Sequence, residues 1–181
     1  MLDESIGYYA LLRTKDGKGY IGSLLVVDRK GKPLEFRVTY PVKPTKLQIQ
    51  LYGESLLPHI GLELCGGPLY KALEDKPGLL LVNDPRFLDL AGDLATLVVH
   101  AQPDTTGAHL VEDGAATSVL RSPTGVYDPI AVRYPASYDA AQKARIEQML
   151  ERAFLSLNPV EPFQRITAAL NALQANDDRF S

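Results

Sequence analysis

The chain has one cysteine, no tryptophan and three histidines in 181 residues. A single cysteine excludes an intramolecular disulfide and cannot alone build a zinc site, which suits a reducing compartment. No apolar run approaches the ~20 residues that cross a bilayer. The start, Met1-Leu2-Asp3-Glu4, has neither the basic residues nor the apolar stretch of a secretory signal. A soluble, cytoplasmic protein without membrane contact is expected. An excess of positive charge is also missing, with 19 Lys and Arg against 22 Asp and Glu and a net charge of −3. That balance argues against a broad nucleic-acid footprint.

What is present is an ordinary globular mixture, 45% hydrophobic and 23% charged. The segment from Tyr8 to Leu57 carries the clearest pattern. Tyr8 to Arg13 and Gly19 to Val27 are β-favouring runs, and Asp16-Gly17 between them supplies the positive φ of a hairpin turn. After a second turn over residues 28–33, Leu34, Phe36, Val38 and Tyr40 alternate with Glu35, Arg37 and Thr39, so one face is buried and the other wet. The pattern predicts an antiparallel meander of three strands. Thr45 and Gln48 have the spacing of a capping box for the helix that follows.

Further on, Leu79–Val82 reads as a buried strand, Asn83-Asp84-Pro85 as the cap of a brief helix, and Leu94–His100 as another strand. Pro103 to Gly114 is polar and turn-rich, the pattern of a loop. Ser122-Pro123-Thr124-Gly125 joins Thr117–Arg121 to Val126–Tyr134 in a later hairpin. Two helices close the chain. Ser137 is expected to cap the first, whose stripe is Ile146, Met149, Leu150, Ala153, Phe154 and Leu157. Pro162 suits the first turn of the second, with Phe163, Ile166, Leu170 and Leu173 on one face. The expected fold is a single α+β domain over residues 1–175 with a mainly antiparallel sheet and a C-terminal helix pair. Residues 176–181 are expected to fray.

Gly17-Lys18-Gly19-Tyr20-Ile21-Gly22 matches G-x-G-x-x-G in letters, but a β run follows where a phosphate-binding fold needs a helix. His59 and Cys65 flank a short turn, and Gly66-Gly67 could leave amides open for an oxyanion. This pair is the candidate catalytic site of a small hydrolase-like enzyme. The competing reading is a packed core thiol. His100 with Asp104 is the candidate metal pair, since no two of His59, His100 and His109 have helical or finger spacing. Asp104-Thr105-Thr106-Gly107 resembles an aspartic-protease loop with one threonine too many, and Asp113-Gly114 lacks the hydroxyl residue. Asp84 and Asp89 follow a strand, where mixed sheets often hold ligands, although an N-cap accounts for Asp84 equally well.

Tyr8 and Tyr9 fall on alternate faces of one strand, so one of them is expected to meet solvent or a partner. Arg29, Lys30, Lys32 and Arg37, with Lys43 and Lys46, give residues 29–46 a positive bias. No family resemblance can be carried over residue by residue. With no cofactor signature, the expected function is a non-catalytic interaction or assembly subunit, using Tyr8, Tyr9 and that basic segment. A protein partner or self-association is expected rather than nucleic acid. The alternatives are the Cys65–His59 enzyme and a nucleic-acid accessory protein acting through segment 29–46.

Overall fold

The computed structural model describes residues 2–105 and 117–180. Most of the loop expected from Pro103 to Gly114, including His109 and Asp113, lies outside the described residues. β1 (Leu2–Arg13), β2 (Tyr20–Val27) and β3 (Pro33–Val38) are consecutive antiparallel strands. Gly17 takes a φ of 70° in the first turn, a left-handed value that glycine adopts without a Cβ clash. The chain leaves β3 through α1 (Lys46–Tyr52), α2 (Leu56–Pro58), a π-helical stretch over His59–Gly66 and α3 (Gly67–Ala72). The capping box is present. Thr45 Oγ1 accepts from the Gln48 amide at 3.2 Å, and Gln48 Oε1 accepts from the Thr45 amide at 2.9 Å.

β4 (Pro77–Val82) then returns beside β1, and β5 (Leu97–Pro103) lies beside β4. Between them sit a 3-10 turn at Pro85–Asp89 and α4 (Leu90–Asp93). β6 (Thr117–Leu120) and β7 (Ile130–Arg133) form the later hairpin, and α5 (Ala140–Ala153) and α6 (Pro162–Asn176) close the chain. The result is one seven-stranded sheet in the order β3-β2-β1-β4-β5-β7-β6.

This corrects the expected mainly antiparallel α+β sheet. The β1–β4 and β4–β5 pairs are parallel, which makes the sheet mixed. Parallel strands need long crossovers that cover the faces of the sheet, and both faces are covered here. One core gathers Tyr8, Leu79, Leu81, Ile146, Leu150 and Ile166 beneath α5 and α6. The other gathers Tyr9, Leu80, Val82, Ile60, Cys65 and Phe87 beneath the π-helical stretch. Tyr8 and Tyr9 therefore point to opposite faces yet are both 0% exposed. Neither is available to a partner, so the expected tyrosine interface does not exist.

Two smaller corrections concern the C-terminal part. Asp139, not Ser137, caps α5, since its carboxylate accepts from the Gln142 amide at 2.8 Å. In the expected tail, Asp178–Phe180 forms a 3-10 turn that buries Phe180 against the α5–α6 core. Among the described residues, no helix is long and apolar enough to cross a membrane.

Candidate functional site

β1, β4 and β5 run in the same direction, so their carboxyl ends meet at one edge of the sheet. Open α/β sheets bind ligands outside this kind of edge. Register fixes which residues arrive there: Tyr9 lies beside Val82, Val82 beside His100, and His100 beside Arg133 of the antiparallel β7. Arg13 ends β1 opposite Tyr20. Its guanidinium donates to the Tyr20 hydroxyl at 3.1 Å and lies 5.4 Å from the centre of that ring.

Beyond β4, Asn83 and Asp84 lead the chain out of the sheet. Asn83 Oδ1 accepts the Leu11 amide at 3.3 Å, which ties the end of β4 to β1. Asp84 caps the 3-10 turn by accepting from the Arg86 amide at 2.9 Å, and it also accepts from the Arg86 side chain at 2.9 and 2.6 Å. Burial alone would raise the Asp84 carboxyl, but the Arg86 hydrogen bonds and charge outweigh it and hold the carboxyl below its ordinary value. Arg86 in turn feels the nearby Tyr20 hydroxyl. His100 is buried, and burial together with the Arg133 charge lowers its imidazole to about 4. It is therefore neutral at physiological pH.

At this edge Arg86 is bound to the Asp84 carboxylate, Arg133 pairs across from the neutral His100, and Arg13 lies on Tyr20 at the end of β1. Planar guanidinium groups suit phosphate oxygens. The donor set for a metal-dependent cleavage is a different matter. A site that holds two divalent cations brings several carboxylates to one point. Among the described residues, no group of three or more His, Cys, Asp or Glu side chains could hold a metal ion. Tyr9, Asn83 and His100 lie level with the end of β4 instead. These residues do not fit a resident metal, and no step is derived through one.

The structure does not join the sequence-derived candidates. Cys65 is 0% exposed, with its Sγ 3.9 Å from Thr39 Oγ1 and its Cβ against Gly22. Burial pushes its thiol upward, away from thiolate, and the Thr39 and Gly22 hydrogen bonds offset this only in part. His59 has other partners: its Nδ1 pairs with Glu63 at 3.1 Å and its ring stacks on Tyr52. The two are not a nucleophile and its base. Gly19 and Gly22 serve close packing, against Lys43 and Cys65 respectively, and no helix follows them. His100 faces Arg133, and the Asp104 amide is bonded to the Pro129 carbonyl. The basic segment is dispersed. Arg29 pairs with Glu4, Arg37 with Glu35 and Glu74, and Lys43 with Asp16. Lys30 and Lys32 donate their amides to Asp28 in the β2–β3 turn. Arg13 and Arg133 escaped the sequence reading because only strand register gives them their neighbours, and Arg86 because its bond to Asp84 forms only in the 3-10 turn.

No family model and no curated protein matches this chain. Among solved structures it is similar to endonuclease V from Bacillus subtilis, at a TM-score of 0.54 and 14% identity over 96% of this chain and 83% of that one. Endonuclease V from Streptomyces avermitilis is similar at a TM-score of 0.51 and 14% identity, covering 93% of this chain and 82% of that one. A Ciona intestinalis endonuclease V in complex with inosine-containing DNA aligns at a TM-score of 0.45 and 12% identity over 91% and 86% of the two chains. The fold is therefore endonuclease V-like. The assembly-subunit expectation rested on the lack of clustered catalytic residue types and used a mainly antiparallel sheet with an exposed tyrosine face, and its preference for protein partners over nucleic acid rested on the charge balance. Both are corrected by the mixed sheet, the burial of Tyr8 and Tyr9, and the fold this chain shares with endonuclease V.

Proposed function

We propose that this is a nucleic-acid-processing protein that receives the phosphate backbone at the carboxyl edge of β1, β4 and β5. The observation that carries the reading is the placement of Arg86 and Arg133 beside Asp84 and His100, with Arg13 at the end of β1, on that side of an endonuclease V-like fold. Phosphate contacts by arginine supply affinity without regard to sequence and release counterions, so binding falls steeply with salt. Backbone contact needs only a local cluster of cations. A net charge of −3 is compatible with it because acids elsewhere on the surface set the total.

His100 is neutral at physiological pH and lies close to Asp84 and Arg133, so it adds no positive charge to the edge. A cytoplasmic setting belongs to the same reading, with the one cysteine reduced and packed in the core. The test is a binding titration with fluorescent single- and double-stranded DNA and RNA. Arg86→Ala and Arg133→Ala should each weaken binding about fivefold to tenfold for every sequence and reduce the salt slope by about one. Unaltered binding by both variants would remove the edge as the site.

A further inference from the structure

A second concave feature lies at the opposite end of β1 and is independent of the nucleic-acid reading. A groove of about 450 Å³ opens between the start of β1, the β2–β3 turn and the end of α5. Arg29 and Lys30 enter it from the turn, Arg152 from α5 and Glu4 from β1, while Ile6 and Met149 supply apolar lining. Arg29 Nη1 lies 3.5 Å from one Glu4 oxygen, and Arg152 Nη1 lies 4.0 Å from the other. The turn is held in shape by Asp28, which accepts the Lys30 and Lys32 amides at 2.8 and 2.9 Å, and by Gly31 at a φ of 78°.

Three cations from two distant parts of the chain, Arg29 and Lys30 in the turn and Arg152 in α5, repel one another when gathered in one groove. Glu4 offsets only one of them, and from the rim, with its side chain 59% exposed. Among the described residues the groove is short of negative charge. A phosphate monoester is a dianion whose oxygens match two guanidinium groups at once. The volume falls in the range of ~300–1,000 Å³ that small-molecule sites occupy.

We propose that this groove binds a phosphomonoester of nucleotide size. Its phosphate sits between Arg29 and Arg152 within reach of Lys30, and its body covers Ile6 and Met149. Glu4 competes for the same guanidinium groups and weakens the site it helps to shape. No bond is made or broken.

The test is isothermal titration calorimetry of the full chain with adenosine 5′-monophosphate, adenosine and inorganic phosphate. The mononucleotide should bind saturably and about tenfold tighter than inorganic phosphate, and adenosine should not bind detectably. Arg29→Gln with Arg152→Gln should abolish binding while leaving thermal unfolding in place, since both side chains are largely exposed. Glu4→Gln should tighten binding about threefold or more by removing the competing charge, which a merely structural Glu4 would not do. Absence of saturable mononucleotide binding overturns the proposal. So do equal affinity for inorganic phosphate, binding that survives the double substitution, and a Glu4→Gln variant that binds no more tightly.

Discussion

The Tyr9 hydroxyl donates to the Gly61 carbonyl oxygen across a 2.6 Å hydrogen bond, pinning β1 to the π-helical stretch that covers it. Contact there is close. A Cβ on Gly61 would lie 2.1 Å from the Phe87 ring, and one on Gly66 would lie 2.7 Å from the Gly61 oxygen. Its neighbour Tyr8, buried on the other face, has no hydrogen-bond partner for its hydroxyl among the described residues. Two adjacent tyrosines of equal burial thus differ in one bond.

That difference predicts opposite responses to the same deletion. Tyr9→Phe should destabilise by about 0.5–1.5 kcal/mol, because it removes a buried hydrogen bond. Tyr8→Phe should be neutral or stabilising by up to about 1 kcal/mol, because the hydroxyl it removes is already unpaired. Urea unfolding of the two variants checks this. Equal losses would mean that the Tyr8 hydroxyl has a partner.

Cys65 should behave as a core residue. Packed against Gly22 and 0% exposed, its thiol should resist a disulfide reagent in the native protein and react at once after denaturation. Fast modification of the folded chain would return Cys65 to consideration as a reactive group.

His100 gives the protein a specific acid sensitivity. Burial and then the Arg133 charge hold its folded value at about 4, below the ordinary 6.5, while Asp84 opposes them. The unfolded chain therefore takes up this proton first as the pH falls. Stability is full above about pH 6.5 and is lost progressively toward pH 4, by an amount on the order of 3 kcal/mol. Below that both states are protonated and the loss from this group stops. His100→Asn should flatten the pH 4–6.5 window in denaturant midpoints. An unchanged slope would assign the sensitivity to other groups.

Local signals in the chain were easier to read than long-range ones. Asp16-Gly17 and the Thr45–Gln48 spacing encode their turn and cap within a few residues, and both are present. The parallel pairing of β1 with β4 leaves no such mark. A run like Leu79–Val82 shows that a strand is buried on both faces, but not which strand it meets or in which direction. The same limit hid the edge. Asp84 was visible as a cap, whereas Asn83, Arg13 and Arg133 gain their roles from neighbours brought in by register. The expected solvent exposure of Tyr8 or Tyr9 failed for a related reason. Alternation assigns residues to faces, and only the crossovers decide whether a face is covered.

The most direct test of the account is the affinity for a fluorescent oligonucleotide measured by anisotropy across a salt series, with a chelator present throughout. The arginine edge predicts saturable binding whose logarithm falls linearly with log salt, at a slope of about −2 for a single strand engaging Arg13, Arg86 and Arg133. Binding should survive the chelator, because the described residues gather no metal donor set. Absence of saturable binding to single- or double-stranded DNA or RNA at low salt would contradict the account.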